Sequence, residues 1–478
     1  MTSYIVITGY LALMALLLFF AGVKMPIILL VVSITYLLIN KHIIRTSFTI
    51  LRRSLANETL LKVGLVLLFS SIMLWRVRLS AEFEAAPVDT VAGFRIAQIV
   101  LALLIGVLRF RKGSLNYLMF SLLTFALVYS CAGILSTLYS SAPMYTLYKA
   151  TETFTDVILV VSILGSCNNL REFVQFFVIA IGVFLFMEIT VWIGMMVWPT
   201  AALKSGKGIF GKQLRGILPV INPNKVGFIS ALLLLSSCFG VVASKLKKEK
   251  IFFSTVTLLT LPIFLLAQSR TSTVGVFFAI LMFLVLNKKI KWIIVTCVIA
   301  GIVFISGALS DIIVGYMIKG ENPVMIQTLT GRTLAWEYAW EMFKKSPMFG
   351  YGFASGARFD VLKGSSMIGL HGSIFDVLVN LGLVGVIPWL CAIFGVWIQL
   401  LRTFLKYSKK MHPETLLFHT FMVSIVVLLT FRSVTATALV MHDMEFIVFL
   451  LILGYSQLST QHRGFTSAPE SHGLTHAR

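Results

Sequence analysis

The sequence predicts an all-α polytopic membrane protein with about 12–14 transmembrane helices and one long, partly helical loop on its outer face. Three observations carry this. Of the 478 residues, 58% are apolar and only 12% charged, and the mean hydropathy is +0.93, far from the balance of a soluble domain. Apolar stretches of about 17 to 25 residues recur along the chain, each long enough to cross a hydrocarbon core of about 30 Å as a helix. The strongest basic connectors between them, "NKHIIRTSFTILRRS", "RFRK", "SKLKKEK", "NKKIK" and "RTFLKYSKK", all fall on one side when the N-terminus is cytoplasmic.

The predicted spans lie at about 4–22, 25–39, 60–76, 92–108, 115–138, 148–166, 173–196, 224–243, 251–267, 272–287, 292–308, 373–398, 415–431 and 438–457. They divide the chain into 1–308, transmembrane helices with a basic outer loop at 197–223; 309–371, the long outer loop; 372–457, the last spans; and 458–478, a polar tail expected to be disordered. The first apolar stretch leads directly into further spans without a small-residue cleavage site, so it is not read as a removable signal. The five cysteines sit in or beside spans and imply no disulfide framework.

The net charge of +21 is first of all a matter of topology, not of nucleic-acid binding. Of the 40 lysines and arginines, 22 fall inside and 18 outside on this reading. Eleven of the outer ones concentrate in two loops: Lys204, Lys207, Lys212, Arg215 and Lys225 in or flanking the first, and Lys319, Arg332, Lys344, Lys345, Arg358 and Lys363 in the second. A dense cationic surface outside points to an anionic partner.

Within the long loop, "TGRTLAWEYAWEMFKKSP" places Trp336, Trp340 and Phe343 at helical spacing, with charges on other faces and lysines before Pro347. This predicts an amphipathic helix, lying on the membrane surface or over a cleft, or packed on the bundle. The glycines at 350, 352, 356, 364 and 369 predict a flexible run from there to His371.

Candidate chemistry follows from position. Six of the eight histidines fall on the inner side, which leaves His371 and His442 near the outer face. An imidazole titrating at about 6.5 suits a base near neutral pH, and a histidine at a span's edge equally suits a plain interfacial role. Arg270, in "AQSRTST" between two closely spaced spans, sits at or within the membrane boundary, where a guanidinium is costly and a functional candidate. Arg215 precedes a span in the first basic loop, and Arg332 opens the amphipathic helix. Planar guanidinium forks suit phosphate oxygens, and several converging would hold a diphosphate; each alone also suits a lipid headgroup. The chain has no Walker loop, dinucleotide fingerprint, paired CxxC or HExxH. In "HDME", His442 to Glu445, the carboxylates are better read as balancing Arg432 or orienting a neighbour than as a metal site.

"GRTLAWEYAWEMFKKSPMFGYG", followed some twenty residues later by "HGSIFDVLVNLGLVG", resembles the signature of the O-antigen ligase and O-antigen polymerase superfamily of bacterial membrane glycosyltransferases. "QSRTS" and "RGILPVINPN" resemble its earlier segments, so that the likeness covers residues of about 200 to 390. Gly372 departs from the pattern, in which asparagine or serine commonly follows the histidine.

The resemblance implies a metal-independent, inverting glycosyltransferase without cofactor, working on the periplasmic face of the inner membrane with undecaprenyl-diphosphate-linked glycans. It implies that His371 deprotonates the acceptor hydroxyl, that Arg215 and Arg270 hold the diphosphate, and that Arg332 belongs to the substrate-binding set. It further implies an acceptor glycan, either a lipid-linked repeat or lipid A-core, a chain-length regulator and a flippase as partners, and no nucleic acid. The spacing from histidine to Asn-Leu-Gly inclines the reading to polymerase over ligase. A transporter of the same lipid-linked glycans is the rival, with Glu152, Asp156 and Glu188 as candidates for ion coupling.

Overall fold

The computed structural model describes residues 58–74, 89–167, 169–205, 212–289, 291, 294, 332–361 and 370–461. The spans expected at 4–22 and 25–39, nearly all of 292–308, the loop residues 309–331 and the tail beyond 461 lie outside the described residues.

The described chain is helical almost throughout: α1 (Thr59–Met73), α2 (Thr90–Leu108), α3 (Lys112–Met119), α4 (Leu123–Leu135), α5 (Pro143–Ser166), α6 (Leu170–Val197), α7 (Pro199–Ala202), α8 (Pro223–Ala243), α9 (Lys247–Ala267), α10 (Arg270–Leu286), α11 (Arg332–Lys345), α12 (Ser373–Tyr407), α13 (Pro413–Thr435) and α14 (Met444–Gln461). Among the described residues, six helices are long and apolar enough to cross a membrane, or seven when the bent α3–α4 pair is one span. α5 has the length, but carries the buried Lys149, Glu152 and Asp156. Short polar side chains start several helices where the sequence turns: Asp89 caps α2 through the Ala92 N–H, and Asn222 caps α8 through Lys225 N–H.

α14 is buried on all faces and forms the centre of the bundle, packed against α5, α6, α12 and α13. Around it α8 pairs with α9, α10 with α13, and α1 with α2.

Two of the predicted spans need correction. The span read as continuous over 115–138 is bent by 83° between α3 and α4. There Thr124 Oγ1 donates to the Leu118 carbonyl at 2.6 Å and Ser121 Oγ accepts from the Leu123 N–H at 3.1 Å, so side chains replace the lost helical bonds. The last span starts at Met444 rather than 438, because residues 436–443 are non-helical and threaded between helices. Neighbouring side chains satisfy that backbone: Trp389 Nε1 donates to the Leu439 carbonyl and Tyr129 Oη to that of Val440, each at 2.7 Å, while Thr153 Oγ1 accepts from the His442 N–H at 3.1 Å. The basic loop at 197–223 carries two small antiparallel hairpins, β1 (Leu203–Ser205) with β2 (Lys212–Leu214) and β3 (Gly216–Ile217) with β4 (Val220–Ile221).

α12 is also broken. Gly382 has φ 59°, a conformation open to glycine, and a Cβ there would come within 2.6 Å of the Met348 carbonyl. The turn after α11 plugs the break: Leu383 and Val384 N–H donate to the carbonyls of Pro347 and Met348 at 2.8 and 3.1 Å, and Tyr351 and Gly352 N–H donate to those of Val379 and Asn380, both at 2.9 Å. The Pro-x-x-Gly-x-Gly turn and the Asn-Leu-Gly that follows His371 are therefore two halves of one junction. Gly350 and Gly356 serve this close docking and Gly352 lies against Ser140, while Gly364 and Gly369 of the expected flexible run lie outside the described residues.

Candidate functional site

Arg332 is the first residue of α11, and its Nη1 donates to the carbonyl of Thr435, the last residue of α13, at 2.8 Å. The Thr435 hydroxyl shares a 2.7 Å hydrogen bond with the hydroxyl of Thr271, the residue after Arg270 in the first turn of α10. His371 lies two residues before α12, and Ser373 Oγ donates to the Ala436 carbonyl at 2.9 Å. Thr435 and Ala436 thus gather the segments bearing Arg270, Arg332 and His371.

Arg215 stands differently. It is exposed, at the end of β2, with Nε donating to the Ala201 carbonyl at 2.8 Å. Its hairpin is tied to the turn that leads into Arg270: Gln213 Nε2 donates to the Ala267 carbonyl at 3.1 Å, and Gln268 Nε2 to that of Lys212 at 2.9 Å. Gln268 has φ 49°, which ends α9 and lets α10 start two residues later.

The environment of His371 sets its chemistry. Burial first, and the positive charge of Arg332 second, push the imidazole down to about 4. It is therefore neutral at physiological pH and ready to accept a proton.

Beside it, α11 lies over the start of α12. Trp336 stacks on Phe375, with ring centres 5.1 Å apart, and donates its indole N–H to the Leu370 carbonyl at 2.8 Å. One face of the amphipathic helix is thus packed on the bundle, while Leu334, Tyr338 and Trp340 remain exposed. Between the two helices runs an apolar groove of about 510 Å³, walled by Trp336, Trp340, Ile374, Phe375 and Leu378, with Thr333 and Glu337 at its rim.

Behind the site is a buried ionic network. Arg432 pairs with Glu445 at 2.7 Å and donates to Ser272 Oγ at 2.6 Å, and its guanidinium lies 5.0 Å from the centre of the Phe228 ring. Lys225 pairs with the same Glu445 at 2.6 Å and with Asp443. The reading that these carboxylates balance Arg432 holds for Glu445, and Lys225 belongs to this network, not to a free cationic surface. His442 pairs instead with Asp156 at 2.8 Å and bonds Ser71 at 2.8 Å, so "HDME" divides between two sets of partners. Among the described residues no group of three or more His, Cys, Asp or Glu side chains is arranged to hold a metal ion. The carboxylates weighed for ion coupling are engaged as well, Glu152 with Arg95 and Lys149, Asp156 with His442, and Glu188 with Ser230.

Reading the sequence missed Thr271, Ser373, Asp376, Thr435 and Thr437, the polar residues that stitch the site. Their only local signal is that each lies within five residues of a candidate or at a helix end.

No curated protein matches the chain. A family model described as O-antigen ligase matches residues 255–390, a segment that contains Arg270, Arg332 and His371 but not Arg215. Residues 255–390 are thus similar to the O-antigen ligase family, in agreement with the resemblance to the O-antigen ligase and O-antigen polymerase superfamily carried by their motifs.

Proposed function

We propose that the chain is an inner-membrane glycosyltransferase that transfers an undecaprenyl-diphosphate-linked glycan to an acceptor sugar hydroxyl on the periplasmic face, polymerising repeat units of O-antigen or an exopolysaccharide. The observation that carries this reading is the convergence on residues 435–436 of the segment bearing His371 and two arginine-bearing helix starts.

In this reaction the acceptor oxygen attacks the anomeric carbon of the donor sugar. The new glycosidic bond forms as the bond to the diphosphate breaks, and the configuration inverts. The bond's electron pair leaves with the diphosphate, whose growing charge is met by Arg270, Arg332 and Arg215. His371 takes the proton of the attacking hydroxyl. A diphosphate is a leaving group of low basicity, so the carboxylate pair of a glycosidase is not called for. The groove between α11 and the start of α12 gives the reading a place for the apolar part of a lipid-carried substrate. Because leaving-group charge is met by guanidinium, the proposed chemistry needs no divalent metal.

The family description favours a second reading, a ligase that attaches finished polymer to lipid A-core. Deletion with glycan profiling separates the two. A polymerase deletion is expected to abolish long chains while single repeats remain attached, whereas a ligase deletion accumulates unattached lipid-linked polymer. An unchanged glycan profile would contradict both.

A further inference from the structure

His371 has φ 53°, in the left-handed region that a residue with a side chain enters only where its surroundings hold it there. The holding contacts are on either side of it. Leu370, fully buried, has both main-chain groups committed: its N–H donates to Asp376 Oδ1 at 3.2 Å, and its carbonyl accepts from Trp336 Nε1 at 2.8 Å. The other Asp376 oxygen accepts from the Thr437 hydroxyl at 2.6 Å, so one buried carboxylate joins the His371 loop to the segment after α13. On the far side, Gly372 lies against the same indole, where a Cβ would come 2.9 Å from Trp336 Nε1. Trp336 is itself fixed by its stack on Phe375.

We infer that Asp376 and Trp336 are positioning residues for His371, fixing its strained backbone and with it the place of its imidazole. The inference rests on the reading of His371 as the base. Asp376 works through Leu370 and Thr437; Trp336, whose ring also walls the groove, works through Leu370 and Gly372. A side chain at 372 would need the space that the indole fills. The chemistry of Asp376 also predicts which replacement is tolerated. Both of its partners are donors, and asparagine keeps an acceptor for the Leu370 N–H while its amide meets a hydroxyl able to turn and accept. Alanine leaves that N–H without a partner.

The test uses the full-length protein in lipid nanodiscs and two separate readouts. In transfer assays Asp376→Ala is expected to lower kcat by at least about tenfold with donor KM within about twofold, while Asp376→Asn stays within about threefold of the parent. In substrate-free protein with isotope-labelled histidine, the His371 titration is expected to rise from about 4 towards 6.5 in Asp376→Ala, as the loop is released, and to stay in Asp376→Asn. Trp336→Phe, which keeps the ring on Phe375 but removes the N–H, and Thr437→Val are expected to move both readouts in the direction of Asp376→Ala, and they carry the test if that variant does not fold. An unchanged kcat in Asp376→Ala, equal losses in the alanine and asparagine variants, or an unmoved His371 titration would overturn the inference. The titration needs no substrate, so it answers for the positioning even if His371→Ala were to retain transfer and the base assignment fell.

Discussion

Burial and the charge of Arg332 hold the His371 imidazole at about 4. A bound diphosphate would offset the guanidinium charge and favour the imidazolium, which raises that value. Two consequences can be measured. The acid limb of kcat/KM, which reports the free enzyme, is expected near pH 4, and the acid limb of kcat, which reports the complex, at a higher pH. Arg332→Gln is expected to raise the free-enzyme value only part of the way to 6.5, because burial is the larger cause; a full return would show that the charge dominates. Arg270→Lys replaces a planar fork with a point charge, so donor KM is expected to rise by about tenfold, whereas an unchanged KM would remove Arg270 from the diphosphate site. His371, Arg270 and Arg332 were legible as candidates because position in the topology and short motifs mark them. Asp376 was not, because its significance lies in a hydrogen bond to Thr437, 61 residues away.

At the scale of elements, the break in α12 is what connects the amphipathic helix to the histidine. Substituting Gly382 with alanine forces a side chain into a left-handed conformation and against the Met348 carbonyl. The expected cost is at least about 1–2 kcal/mol, read as a lower unfolding midpoint. The helical pattern of α11, ending at the lysines before Pro347, was readable from period and end signals alone. The break was not, since a single glycine in an apolar run reads as an ordinary span position and the carbonyls that plug it come from Pro347 and Met348. The segment at 436–443 misled for a related reason. "ATALVM" is apolar and free of glycine and proline, yet Ser373, Trp389, Tyr129 and Thr153 satisfy its backbone from four directions, which removes the need to form a helix there.

Over the whole molecule, the stretch from Thr435 to Glu445 is a junction. Its first residues take Arg332 and the His371 loop, His442 takes Asp156 and Ser71, and its last residues take Lys225 and Arg432. Glu445 is fully buried between two cations, so Glu445→Ala leaves Arg432 without its carboxylate and Lys225 with Asp443 alone, and is expected to destabilise the fold by about 3–5 kcal/mol. Adding Arg432→Met should recover part of that loss in a double-mutant cycle, and strict additivity would show that the pair is not coupled. The helical membrane architecture was legible throughout the described chain, because apolar length and charge placement are properties of the sequence itself. The partners of the buried charges were not, because Arg95, Glu152, Lys225 and Glu445 meet only once the bundle is assembled.

The central claim is that His371 deprotonates an acceptor hydroxyl during glycan transfer from a lipid diphosphate. Purified protein given undecaprenyl-diphosphate-linked glycan and acceptor, with chelator present, tests it most directly. Transfer by the parent and its loss in a folded His371→Ala variant that still binds donor are the expected results; undiminished transfer by that variant would contradict the account.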